Sequence, residues 1–290
     1  MPPRFHRVPL AVLAGLALAS CRSDKPPAAA GAADSALAPV ASAAPSAVTV
    51  ITTDYSFDAP AELPAGLTTF HLVNKGPGIH HIQLAKLDEG KTADDFMTAL
   101  KAGGPPPKWI TMEGGPNPAE MGDTSSTTVA LEPGNYVMLC FVPDPDGVPH
   151  VAKGMVRPLK VTAGAGGSAA EPEADVVMKL VDYDFELSKP IPAGRHTIRV
   201  ENAGPQEHEV VIVKLDSGKE ALDFAKWGEK MTGKPPGTLH GGVSGIMAGD
   251  KAFVEVDLAP GTYGLICFVP DSKDHKGHYV HGMAKTVTVS

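Results

Sequence analysis

At 290 residues the chain is long enough for about two domains of ordinary size. Its formal charge of −8 argues against nucleic acid and against an anionic lipid surface as partners. With 31 glycines and 28 prolines spread among short periodic segments, β structure with many turns is expected rather than a helical bundle.

Arg4 and Arg7 precede an apolar run from Val8 to Ala19. The run is too short to cross a bilayer and predicts a signal peptide over residues 1–20. It closes on Leu18-Ala19-Ser20-Cys21, which resembles the lipobox of bacterial lipoproteins. That resemblance implies cleavage before Cys21, lipidation of Cys21, and membrane attachment through the N-terminal lipid only. The expected location is the bacterial cell envelope, facing the periplasm or on the cell surface. Residues 21–47, rich in Ala, Pro and Ser, cannot build a core and are expected to act as a tether.

The rest of the chain is written twice. Asp54-Tyr55-Ser56-Phe57 recurs as Asp182-Tyr183-Asp184-Phe185, and Asn74-Lys75-Gly76-Pro77 as Asn202-Ala203-Gly204-Pro205. Gly114-Gly115 matches Gly241-Gly242, and Cys140-Phe141-Val142-Pro143-Asp144 matches Cys267-Phe268-Val269-Pro270-Asp271. The expected domains are residues 48–162 and 175–290, joined by a Gly/Ala/Glu linker over 163–174.

Within each repeat the apolar period is mostly two. Ala252, Val254, Val256 and Leu258 share one face, and His196, Ile198 and Val200 another. About six or seven such strands per repeat, broken by Pro-Gly and Gly-Gly turns, predict a β-sandwich. One helix interrupts each. Thr92 and Asp95 form a capping box in the first repeat, with Phe96 and Leu100 facing inward. In the second, Ser217 and Glu220 are assigned the same roles, with Phe224, Trp227 and Met231 on the inner face.

Each repeat carries one Cys, one His and one Met in that order near its end: Cys140, His150 and Met155, then Cys267, His278 and Met283. Thiolate, imidazole and thioether form a soft-metal donor set, above all for mononuclear copper. With one Cys per repeat, no disulfide can form inside either. An earlier histidine joins each set. His80 shares a strand face with Ile82 and Leu84 while His81 points away; His208 shares one with Val210 and Ile212. The expected geometry sets these faces opposite those of the Cys strands. His275 and His281 are additional candidates in the second repeat.

Three motifs, in order and twice, resemble the cupredoxins, the blue-copper family. Asn-x-Gly-Pro-x-x-His (Asn74–His80, Asn202–His208) is similar to the segment carrying that family's first histidine. Pro-Gly-x-Tyr-x-x-x-Cys (Pro133–Cys140, Pro260–Cys267) is similar to its Cys strand. His-x4-Met (His150–Met155, His278–Met283) is similar to its closing loop. The resemblance implies an all-β fold of two tandem cupredoxin-like Greek-key β-sandwiches, each with one inserted helix. It also implies one copper per domain: one on His80, Cys140, His150 and Met155, the other on His208, Cys267, His278 and Met283. The chain departs from the family in one respect. Nine residues, Phe141 to Pro149, separate Cys140 from His150, and ten, Phe268 to Gly277, separate Cys267 from His278. This is a longer excursion than most cupredoxins have.

Two-domain relatives also include multicopper oxidases and copper nitrite reductases, which commonly place a histidine beside the Cys. Leu139 and Ile266 stand there instead, so the sequence reads as a non-enzyme. Asp144, Asp146, Asp271 and Asp274 are assigned to turns. The expected function is copper-dependent electron transfer with a protein redox partner. A copper-free cupredoxin-like binding module and a copper chaperone or store are the alternatives.

Overall fold

The computed structural model describes residues 43–103, 106–164 and 169–290. Cys21 and most of the expected leader and tether lie outside the described residues. In the first half the elements are β1 (Ser46–Thr53), β2 (Ser56–Asp58), β3 (Glu62–Pro64), β4 (Gly66–Asn74), β5 (Gln83–Leu87) and α1 (Ala93–Ala102). They continue with β6 (Ile110–Met112), β7 (Thr124–Leu131), β8 (Gly134–Leu139) and β9 (Val156–Thr162). In the second half come β10 (Val176–Val181), β11 (Asp184–Leu187), β12 (Gly194–Asn202), β13 (His208–Leu215) and α2 (Ala221–Gly228). The chain ends with β14 (Gly237–Ile246), β15 (Lys251–Leu258), β16 (Gly261–Ile266) and β17 (Ala284–Val289). The fold is all-β in cupredoxin-like sandwiches, as expected, with more and shorter strands than the periodicity suggested.

Each half is two-layered. One layer of the first half is β3-β9-β8-β5-β6, and its counterpart in the second is β14-β13-β16-β17. The opposite layers are not separate sheets. They join edge to edge through β7 and β15 into one eight-stranded sheet, β11-β10-β12-β15-β7-β4-β1-β2. Phe253, Val254 and Glu255 pair there with Thr128, Thr127 and Ser126. Pairing of this kind covers two strand edges that would otherwise be open to other chains. Alternation supplies the core: on β15 Ala252, Val254, Val256 and Leu258 are buried while Glu255 and Asp257 are exposed. The two halves share one continuous apolar core that includes both cysteines and Met155 and Met283.

The segment from Glu113 to Ala119 locks the halves further. The Gly114 amide donates to Gly245 O at 2.9 Å, Ser244 N–H to Gly115 O at 2.9 Å, and Asn117 N–H to Gly242 O at 3.1 Å. Gly114 and Gly241 make this close approach possible: a Cβ on Gly114 would sit 2.8 Å from Ile246 Cγ2 and one on Gly241 2.6 Å from Ser125 Oγ, each across the halves. Gly115 and Gly242 have φ of +130° and +133°. A Cβ there would sit 2.3 Å from Ile82 O and 1.9 Å from Val210 O, each on the neighbouring segment of the same half.

α1 begins where its capping box places it: Thr92 accepts from the Asp95 amide and Asp95 from the Thr92 amide. α2 differs from expectation. It starts at Ala221, with Glu220 as N-cap and Asp223 as its reciprocal partner. Gly218 explains the shift: it takes a left-handed φ of +76° in the turn after β13, so no helix runs through it. Met231 lies past the end of α2 at a positive φ, off the helix face assigned to it.

Candidate metal centres

The two Cys-His loops are hairpins closed at the neck. In the first half the His150 amide donates to Val142 O at 3.0 Å and the Val151 amide to Cys140 O at 2.7 Å. Pro143 and Pro149 form an isolated bridge, and Asp144 N–H reaches Val148 O at 3.1 Å. The extra residues leave and return between Val142 and His150, so His150 stands beside Cys140 despite the nine intervening residues. The second half repeats the device: His278 N–H donates to Val269 O at 2.9 Å, Tyr279 N–H to Cys267 O at 3.0 Å, and Pro270 bridges Gly277. A 3₁₀ turn follows each time, His150–Lys153 and His278–His281, and the Met155 and Met283 amides close back onto the His150 and His278 carbonyls.

One donor comes from each neighbouring strand. β13, which carries His208, pairs directly with β16, which leads into Cys267. The two strands therefore lie side by side in one sheet rather than facing across the sandwich as expected. In the first half β5 and β8 pair likewise, with His80 just before β5 in a bridge to Ala119. His80, Cys140 and His150 converge with their donor atoms within 4.8 Å of one another, and so do His208, Cys267 and His278. Cys140 Sγ lies 3.5 Å from His150 Nδ1, which lies 3.1 Å from His80 Nδ1. The second cluster repeats these distances at 3.4 Å and 3.0 Å. Met155 and Met283 are fully buried in the same core as the cysteines.

The outer nitrogens fix the orientation of the rings. His80 Nε2 lies 3.0 Å from Asp54 Oδ1, His208 Nε2 2.6 Å from Asp182 Oδ1, and His150 Nε2 3.2 Å from Asp144 Oδ1. A carboxylate accepts, so each of these nitrogens carries the proton and the Nδ1 atoms turn lone pairs inward. His278 is the exception. Its Nε2 is buried without a hydrogen bond, 3.8 Å from Asp271. Asp144 and Asp271 also serve the turns assigned to them, but each does more. Tyr55 donates to Asp144 at 2.5 Å and Tyr183 to Asp271 at 2.6 Å, and both rings meet a site histidine edge-on. Burial works against ionisation of Asp144, but bonds from Lys153, Tyr55 and His150 hold its carboxyl down to about 2.

The sites favour uncharged donors until a cation arrives. Burial pushes the Cys140 thiol up to about 12, against the backbone amides of His81 and Val142, and raises Cys267 well above the ordinary thiol range. Burial lowers His80 and His208, and lowers His278 to about 4 with help from the neighbouring His208 ring. Such groups stay neutral near pH 7 and crowd lone pairs and a thiol into one dry space. That donor set suits a thiophilic cation.

Sequence reasoning singled out the two convergent triads but not what holds them. Asp54, Tyr55, Asp182 and Tyr183 stood in a repeated motif with no role assigned. His81 faces away from the cluster, and its Nε2 accepts the Phe141 amide at 2.8 Å. Glu209 is its counterpart, accepting the Phe268 amide at 3.0 Å, while its own amide donates to Cys267 Sγ at 3.4 Å. Asn117 joins the two: its Oδ1 lies 3.2 Å from His81 Nδ1 and its Nδ2 donates to Glu209 Oε2 at 3.0 Å. A buried chain of hydrogen bonds thus connects the residue after one Cys to the residue after the other. His275 sits exposed at the tip of its hairpin, and His281 pairs with Asp274 at 3.1 Å; neither enters the second cluster. Asp271, Asp274 and His281 also lie close together, but Asp271 already accepts from Tyr183, Gln206 and the Lys273 amide.

No family model matches the chain, and no curated protein matches it. Among solved structures it is similar to reduced auracyanin from Roseiflexus castenholzii, at 24% identity over 41% of this chain and 99% of that one, with a TM-score of 0.27. Copper nitrite reductase from Nitrosomonas europaea matches at 14% identity over 84% of this chain and 93% of that one, with a TM-score of 0.25. Blue copper oxidase from the same organism matches at 16% identity over 83% and 84%, with a TM-score of 0.22. The structural assignment stands on this chain's own strand order and donor geometry: an all-β, cupredoxin-like fold with two His-Cys-His clusters that could each hold copper.

Proposed function

We propose that this chain is an electron carrier of the cell envelope, with one copper in each half. The observation that carries the reading is the pair of inward-facing Nδ1 atoms, 3.1 Å and 3.0 Å apart, beside a buried thiol in each half. In three of the four rings a carboxylate on the outer nitrogen turns the lone pair inward. His80, Cys140 and His150 would hold one copper and His208, Cys267 and His278 the other, with Met155 and Met283 as thioether donors. Copper in such a site exchanges one electron between Cu(I) and Cu(II), the soft ligands favouring the first state and the imidazoles the second. The chain's own residues supply rigidity: strand pairing, the sewn hairpin necks and the carboxylates hold the rings in one orientation.

The carrier reading is preferred to an oxidase or reductase because Leu139 and Ile266, beside the cysteines, are buried apolar side chains. Lipidation at Cys21, the tether over 21–47, the division into domains at 48–162 and 175–290, and a protein redox partner complete the proposal. No helix among the described residues is long and apolar enough to cross a membrane. Voltammetry of the copper-loaded chain tests the function: reversible uptake of two electrons per chain is expected. Bound copper that does not cycle would point to a store instead.

A further inference from the structure

A cavity of about 530 Å³ lies between the two halves, bounded by the residues that follow each cysteine, Phe141–Pro143 and Phe268–Pro270. Its size is that of a small-molecule site. Its chemistry is one-sided. Glu207, Glu209 and Glu229 line it, and no Lys or Arg among the described residues does; Glu229 already accepts from the Tyr279 hydroxyl at 2.6 Å. His81 brings no charge to balance them, because both of its ring nitrogens are engaged by Phe141 and Asn117. Glu209 has two N–H donors but no cationic partner among the described residues. Glu207 has neither a hydrogen-bond donor nor an ion-pair partner among the described residues, although it is mostly removed from solvent. The remaining walls are largely apolar and include the aromatic rings of Phe141, Phe224, Trp227, Phe268 and Tyr279 from both halves.

Three glycines show that the space is built. Gly228, Gly245 and Gly277 line the cavity, and none has the left-handed φ that would call for glycine. Each makes room for a wall residue. A Cβ on Gly245 would sit 1.9 Å from Glu207 Oε1, one on Gly277 2.5 Å from the Tyr279 ring, and one on Gly228 3.0 Å from the Phe268 ring. Gly245 lies inside β14, a position where glycine is otherwise less favourable than alanine.

We propose that this cavity binds a small organic cation carrying N–H donors, its charged head on Glu207 and its apolar body between the aromatic rings. A carboxylate without a partner gains charge-assisted hydrogen bonds from such a head, and the rings attract the same charge through their faces. A neutral apolar guest would fill the walls but leave Glu207 unpaired, and an anion would meet three carboxyl groups. The cavity shares no donor atom with the copper clusters but adjoins them through Phe141, Phe268 and Glu209, so it is tested on the copper-free chain.

Benzamidine, with benzamide as its neutral counterpart of the same shape, tests the proposal. The two are titrated into the copper-free full chain by calorimetry and by Trp fluorescence. Benzamidine should bind one per chain and at least about tenfold tighter than benzamide, the discrimination of one charged hydrogen-bonded pair. Glu207→Gln should remove that preference, and Gly245→Ala, which displaces the Glu207 carboxylate, should weaken benzamidine by a similar factor. Equal affinity for the two probes, or no benzamidine binding at millimolar concentration, would overturn the proposal on the unaltered chain, whatever the variants do. Undiminished binding to a folded Glu207→Gln chain would overturn the assignment to that carboxylate.

Discussion

Replacing Asn117 with Leu is the substitution that reaches furthest. Leucine keeps the branched four-atom side-chain skeleton but is bulkier and has neither donor nor acceptor. Asn117 is 1% exposed and serves four groups: His81 Nδ1, Glu209 Oε2 and the Val210 and Val243 carbonyls. Three of the four belong to the other half, so the side chain ties the halves together. Each buried polar group left without its partner costs about 1–3 kcal/mol, and shared relaxation keeps the total below the sum, so a loss of about 3–5 kcal/mol is expected. That is a large fraction of an ordinary domain's stability. Urea unfolding of the copper-free chain measures it. The same variant releases the supports of Phe141 and Phe268, so copper affinity should fall about tenfold or more at both sites together. A loss under about 1 kcal/mol with both affinities unchanged would refute the reasoning, because the network would then carry no load.

Cys140→Ser and Cys267→Ser should each remove one copper per chain and leave the other, as read by metal analysis. Asp54→Ala should lower copper affinity in the first half about 10–100-fold without changing the second, since only the His80 ring loses its orienting carboxylate. Glu113 gives a pH prediction. Burial, with a smaller push from Asp250, raises its carboxyl to about 7. The folded chain therefore holds this proton more tightly than the unfolded one, so its contribution to stability is present at low pH and is lost as pH rises from about 4.5 to about 7. Glu113→Gln should flatten that part of the stability profile, and a variant with an unchanged slope would sink the assignment. Cys21→Ala should release the protein from the membrane fraction of cells, whereas continued membrane association would count against lipid anchoring.

Much of the site could be read in the residues because the repeat gave each motif a second copy. Asn-x-Gly-Pro-x-x-His and the Cys strand appear twice at matching distances, so His80, Cys140, His208 and Cys267 stood out by period and spacing alone. The hairpin necks could not be read. They depend on pairs such as His150 N–H to Val142 O, which a nine-residue spacing neither requires nor forbids. The carboxylates behind the rings were hidden for a different reason. Asp54 is 26 residues from His80, and only the folded topology, with β1 beside β4, sets them together. The α2 start was misplaced because Ser217 and Glu220 satisfy a capping pattern locally, while the turn at Gly218 overrides it. The joining of β7 to β15 has no signature of its own, since an edge strand reads like any other half-buried strand.

Titration of the purified chain with Cu(II), followed by visible absorption and metal analysis, tests the central claim most directly. The account predicts two coppers per chain and an intense thiolate-to-copper band, halved in either Cys→Ser variant. A chain that takes up no tight copper, in oxidising or reducing buffer, would contradict it and leave the His-Cys-His clusters as packing alone.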